Sequence, residues 1–154
     1  MDHRQGSKKE VKLAIDNLNK HISIFNNKKV GLITNPTGVN CQLQNTADIL
    51  KEKIDLILLF GPEHGIRGDA QAGKDVKSNI DKKTGLKVYS LYGTAGGFEP
   101  TAQMMNDIDI LDVGAGFYTL ISTMVYGMKA CSKYNKTFVV FDRPNPLSGN
   151  IVEE

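Results

Sequence analysis

The run Asp55-Leu56-Ile57-Leu58-Leu59-Phe60, followed at once by Gly61-Pro62-Glu63-His64-Gly65-Ile66-Arg67-Gly68, decides how this chain folds. Five consecutive apolar residues end in a loop that packs three ionisable side chains among three glycines and a proline. An apolar strand that breaks into a polar Gly/Pro loop is how an α/β sheet presents chemistry at the carboxyl edge of a strand. Glu63 is therefore the first candidate for a working carboxylate.

Working outward, Lys29 to Thr34 reads as a short apolar strand stopped by Asn35-Pro36-Thr37-Gly38. Thr46 to Lys53 reads as a helix with Asn45 as N-cap and Ala47, Leu50 and Ile54 facing inward. Residues 61–86 form a long polar excursion, which predicts a functional loop or a small hairpin. Further strands are expected at Lys87 to Leu91, Ile108 to Leu111 and Thr137 to Phe141, the last almost wholly apolar, as a strand covered on both faces should be. Thr101 to Asn106 predicts a short helix. Tyr118 to Tyr134 predicts a longer one, with Ile121, Met124, Met128 and Cys131 facing inward. Before the first strand, Val11, Ile15, Leu18 and Ile22 recur at helical spacing, weakened by Asn17 and Asn19, and residues 1–10 are polar and expected to be disordered.

These elements alternate, and alternation argues for parallel strands joined by right-handed crossovers. The expected fold class is α/β, a Rossmann-like layered fold with a mainly parallel sheet of about five strands. Residues 1–28 are read as a polar arm with a weakly patterned helix, and residues 29–154 as one domain.

Composition narrows the function classes. The net charge of +2 is uneven: residues 1–29 hold seven Lys/Arg against three Asp/Glu, and the remainder twelve against fourteen. A slightly acidic globular part argues against a nucleic-acid partner. No apolar run approaches the roughly 18 residues of a membrane span. The first ten residues contain no apolar segment of a secretory signal, which by itself favours the cytoplasm. Cys41 and Cys131 stand far apart without a Cys-x-x-Cys spacing, so they read as buried free thiols rather than a disulfide or zinc site.

Each informative polar cluster follows a strand: Asn35-Pro36-Thr37, Glu63-His64, Tyr92-Gly93, Asp112, and Asp142-Arg143-Pro144-Asn145-Pro146. In a parallel sheet they converge on one edge, where open α/β sheets bind ligands. Glu63 can serve as general acid or base, against a plainer reading as a loop carboxylate paired with Arg67. His64 can carry a proton, orient a substrate or ligate a metal. The other histidines, His3 and His21, lie near the chain start, so no metal site is expected. Arg67 and Arg143 suit bidentate binding of a carboxylate or phosphate, or structural pairs with Asp69 and Asp142. Asp112-Val113-Gly114-Ala115-Gly116 looks like the glycine-rich motif of S-adenosylmethionine-dependent methyltransferases, but three predicted strands precede it and Tyr118 takes its last glycine place. No cofactor is expected.

Four stretches together resemble the bacterial exo-β-N-acetylmuramidase family, long catalogued as a domain of unknown function: Gly31 to Gly38, Phe60 to Gly68, Asp112-Val113-Gly114 with Phe117-Tyr118-Thr119, and Asp142 to Pro146. The resemblance covers roughly residues 29 to 153. It implies a Rossmann-like glycosidase that removes terminal N-acetylmuramic acid from peptidoglycan fragments, and hence a sugar or muropeptide as partner. It implies Glu63 as the catalytic carboxylate with His64 beside it, and Asn35, Thr37, Arg67, Tyr118, Asp142, Arg143 and Asn145 as residues holding the sugar and its lactyl carboxylate. An exported or envelope setting is also implied, against the missing signal, so localisation stays open, as does oligomeric state.

Three departures from the family pattern bear on activity. The chain is several residues shorter than the pattern around Leu111-Asp112, which is expected to shorten a central strand. Gly116 stands where the pattern has an arginine, and the chain stops at Glu154, before the family's auxiliary domain. The competing expectation is therefore a sugar-binding remnant without turnover, with the methyltransferase a distant third.

Overall fold

A computed structural model of the chain describes residues 12–68, 78–93, 97–114 and 120–143. Val30–Ile33 form strand β1, Leu56–Gly61 β2, Asn79–Ile80 β3, Lys87–Ser90 β4, Ile110–Val113 β5 and Thr137–Val140 β6. The helices are α1 (Leu18–His21), α2 (Thr46–Lys53), α3 (Ala102–Met105) and α4 (Leu120–Tyr134). The six strands form one sheet in the order β3-β4-β2-β1-β5-β6, every pair parallel except the two-residue β3 against β4. The expected α/β class with a mainly parallel sheet is the observed one, and the polar excursion before Lys87 contains the short edge strand.

All four residues of β1 are buried, because it is bonded to β2 on one side and β5 on the other. Val30 and Leu32 project into one apolar layer with Ala47 and Leu50 of α2 and with Ile15, Leu18 and Phe25. Ile33 projects into the other, with Met105, Ile108, Ala130 and Cys131. The sheet thus lies between two helical layers. The register between β1 and β2 slips after Val30, which pairs with Leu56, whereas Gly31 pairs with Leu58. The extra residue reverses the side-chain phase of the rest of β2, so Leu56 and Leu59 face the first layer while Leu58 and Phe60 face the second.

The helix Thr46–Lys53 has the expected bounds, and the Asn45 side chain accepts a hydrogen bond from the Ala47 N–H at 2.9 Å, which caps an otherwise orphaned donor. In the segment before β1, α1 is a single turn flanked by 3-10 turns at Ile15–Asn17 and Ile22–Phe25.

Four expectations need correction. The inner face of α4 is Leu120, Gly127, Ala130 and Cys131, while Ile121 and Met128 are exposed and Met124 half-buried. The cause is Gly127: a Cβ there would meet Ile33 and Phe138 at 3.2 Å, so the helix seats against the sheet on its small residues and turns its large apolar ones outward. Second, β6 is not covered on both faces; it is a half-exposed edge strand. Third, of the two cysteines only Cys131 is buried, its thiol pushed up to about 11 mainly by burial, and Cys41 is exposed in the loop before α2.

Fourth, the strand read as Ile108 to Leu111 is displaced toward the carboxyl end: it runs from Ile110 to Val113 and so draws in Asp112 and Val113. Asp112 pairs with Leu32 and Val139 in mid-sheet and is fully buried, and among the described residues neither carboxylate oxygen has a hydrogen-bond partner. Burial raises its pKa well above the ordinary value; the Val113 N–H offsets this only in part and makes no well-formed hydrogen bond. The folded chain therefore gives up this proton at higher pH than the unfolded chain does, so this residue lowers stability as pH rises from the ordinary carboxylate range toward its raised folded value. Asp112→Val should add about 1–3 kcal/mol to the unfolding free energy at pH 7.5 in urea titrations, with a smaller gain at pH 4, where the unfolded chain is also protonated.

Candidate active site at the carboxyl edge of the sheet

The strand order reverses at β1, whose successors lie on opposite sides of it, so the switch point falls between β1 and β5. The loops leaving the parallel strands are held level by backbone bonds: Thr34 N–H to Phe60 O, Leu91 N–H to Gly61 O, Gly114 N–H to Ile33 O and Phe141 N–H to Val113 O. At the switch point the Thr34 hydroxyl donates to Gly114 O at 3.0 Å. Gly38 is wedged between these groups; a Cβ there would lie 2.2 Å from Gly114 O and 2.3 Å from Thr34 Oγ1, so glycine is required for this closeness of approach.

The loop after β1 is shaped by Asn35. Its side-chain oxygen accepts from the Thr37 N–H at 3.1 Å and from the Thr37 hydroxyl at 2.7 Å, an Asx turn that spends this acceptor on the loop itself. The loop after β2 turns back by placing two successive residues, His64 and Gly65, in the left-handed region, both at φ 71°. Such a conformation at a histidine costs backbone strain and persists only where surrounding contacts impose it. It leaves His64 exposed and Glu63 half-buried, while Ile66 seats in the core beneath them.

Glu63 and Arg67 leave this loop toward different cavities. Arg67 donates to Asp48 through Nη1 and Nη2 at 3.2 and 2.8 Å, and to Asp81 through Nε and Nη2 at 3.1 and 2.9 Å. Lys83 adds a bond to Asp48 at 2.6 Å. The clamp ties the β2 loop to α2 and to the turn before β4. Hydrogen bonds from Arg67, with help from Thr84, hold Asp81 well below the ordinary carboxylate range. Burial alone would raise Asp48, but its bonds to Arg67 and Lys83 outweigh it and the net direction is down. Arg67 is itself pushed upward, chiefly by Asp81. Arg67, Asp48 and Lys83 line the larger cavity, about 680 Å³, a polar groove shared with α2 and the segment before β1. Glu63 is not among the residues that line it.

Glu63 instead lines a cavity of about 380 Å³ with Pro62, Leu91, Tyr92, Phe98, Ser122, Thr123 and Tyr126. The loops after β2 and β4 and the first turns of α4 thus meet at one concave place. Among the described residues lining it, Glu63 is the only acid. The Arg143 guanidinium donates to Val39 O and fastens the end of β6 to the loop before α2, and Asp142 accepts from the Arg143 N–H at 2.8 Å. Tyr118, Asn145, Asp69 and Gly116 lie outside the described residues. Among the described residues no group of three or more His, Cys, Asp or Glu is placed to hold a metal ion, and no helix is long and apolar enough to cross a membrane.

Phe98, Ser122, Thr123 and Tyr126 were not singled out from the sequence. The available signals were an aromatic residue directly after Gly96-Gly97, and the polar residues Ser122, Thr123 and Tyr126 interrupting an apolar helix.

The family model describing the N-terminal part of the exo-β-N-acetylmuramidase NamZ matches residues 30–153. The peptidoglycan β-N-acetylmuramidase NamZ of Bacillus subtilis strain 168 is 54% identical over 133 residues, covering 82% of this chain and 32% of that protein. Two crystal structures of DUF1343 family proteins from Bacteroides fragilis align with TM-scores of 0.80 and 0.72 at 44% and 30% identity, covering 92% and 90% of this chain. Each alignment covers 36% of the other protein, so this chain spans about a third of the length of the relatives it matches.

The clamp carries a consequence for stability. Arg67→Met should lower the unfolding free energy by about 2–3 kcal/mol at pH 7, since Asp81 loses its charged donor and Asp48 one of its two. Both carboxylates have lowered folded pKa values, so their contribution is complete above the ordinary carboxylate range and lost as pH falls through the lowered ones. The deficit, read from denaturant midpoints, should narrow steadily below pH 4.

Proposed function

This chain belongs to the family of exo-β-N-acetylmuramidase N-terminal domains, and on that premise we propose that it acts on the β-glycosidic bond of a terminal N-acetylmuramic acid in peptidoglycan fragments, with Glu63 as the proton-transferring carboxylate. The observation that carries this reading is Glu63's position: past the end of β2, on a loop turned by two left-handed residues, lining a cavity large enough for one sugar.

Hydrolysis of a glycosidic bond needs a proton donor at the leaving oxygen and support for the oxocarbenium-like centre. Glu63 supplies the proton and, once ionised, takes one from the attacking water. His64, held next to it by the strained turn, orients the leaving group or relays the proton. Asn35, Thr37, Asp142 and Arg143 stand on neighbouring loops at the same sheet edge, within the set we assign to holding the sugar and its lactyl carboxylate. Arg67's part is to keep the Glu63 loop seated, through its double clamp on Asp48 and Asp81.

A second reading, binding of the sugar without turnover, is favoured by one observation: Glu63 is the only acid among the described residues lining the cavity, whereas hydrolysis calls for a second group at the anomeric carbon. A chromogenic β-N-acetylmuramide separates the two. Release of chromophore by the native chain, reduced at least about 100-fold in Glu63→Gln with an unchanged unfolding midpoint, is the expected result. Saturable binding with no release in either protein would leave the binding reading in its place.

A further inference from the structure

The cavity beside Glu63 has one wall that proton transfer does not use. Phe98 stands between two tyrosines, edge-to-face with Tyr92 at a centroid distance of 6.0 Å and stacked on Tyr126 at 6.5 Å with 26° between the rings. It is 54% exposed, an unusual placement for a phenylalanine that already has aromatic neighbours on two sides. The three rings come from separate places in the chain: Tyr92 follows β4, Phe98 lies ahead of α3, and Tyr126 is on α4. Such a wall is set before any ligand arrives, because each ring limits the freedom of the next.

An aromatic face carries negative quadrupole potential, and it attracts groups with positive edges. The C–H face of a pyranose is such a group: its hydroxyls point outward around the ring, and the axial hydrogens leave a flat apolar face. Ser122 and Thr123 line the same cavity and bring hydroxyls that can pair with those of a sugar. The volume of about 380 Å³ suits one saccharide unit.

We propose that Phe98, braced by Tyr92 and Tyr126, is a stacking platform for a pyranose ring in this cavity. The proposal rests on the glycosidase-family reading for the sugar class and adds the residue that grips the ring. A neighbouring depression lined by the exposed Ile121 and Val125 continues the apolar surface beyond Tyr126. The wall differs from that surface in closing a concavity that also contains Glu63 and two hydroxyls.

The test titrates the methyl β-glycoside of N-acetylmuramic acid into the full chain, followed by calorimetry and by amide chemical shifts, for the native protein and for Phe98→Ala, Phe98→Leu and Phe98→Tyr. Expected are shifts at Tyr92 and Tyr126, a Kd weakened about tenfold or more in Phe98→Ala, an intermediate value in Phe98→Leu and near-native binding in Phe98→Tyr, with all unfolding midpoints alike. Equal affinity of the native protein and Phe98→Ala would overturn the platform while leaving the sugar-binding reading intact. Absence of binding to the native chain at millimolar sugar would overturn both. Self-association in sedimentation that Phe98→Ala abolishes, with no sugar bound, would overturn the platform and make the wall a protein contact.

Discussion

Strand β1 is the constraint on which the rest of the molecule depends. Its four residues are buried on both faces, and its backbone groups pair with β2 and β5. A strand buried in this way needs apolar cover above and below, since an unpaired backbone group or a wet face would be costly there. The cover comes from α2 with the turns before β1 on one side and from α3 and α4 on the other. Parallel pairing around β1 then brings the loops after five strands to a single edge. The site is a consequence of that geometry rather than of any one motif.

At this edge, some polar groups are taken up in building the loops and others face a cavity. Arg67, Asp48 and Asp81 build, fastening the Glu63 loop to two other segments. Asn35 builds its own turn, and Arg143 ties the end of β6 to the loop before α2. Glu63, Ser122 and Thr123 line a cavity with the aromatic wall. A charged residue in a conspicuous motif is therefore not automatically a ligand-binding one, and its partners have to be found before it is given a role.

Asp112 shows what the sheet tolerates. Its side chain lies in mid-sheet, in an apolar layer, and burial disfavours its charged form, an effect that the Val113 N–H offsets only in part. The β5 register requires some residue there, and a small one fits between Leu32 and Val139. Pairing and packing prevailed over the preference of a carboxylate for water.

Read alone, the sequence determined the α/β class, the helix Thr46–Lys53 with its Asn45 cap, the positions of the main strands apart from β5, and the gathering of the loops after the parallel strands at one edge, though not the place of Asp112. Those features depend on local periodicity and capping, which neighbouring residues carry. Tertiary structure decided the face that α4 turns inward, because Gly127 permits a close approach that no hydrophobicity count registers. It also decided that β5 would begin at Ile110 and enclose Asp112, since register is a property of two strands and not of one. The partners of Arg67 lie 14 and 19 residues away in sequence, and the wall of Tyr92, Phe98 and Tyr126 joins three segments of the chain. Contacts of that range exist only once the sheet has brought its loops together, and so they could not be read from the order of the residues.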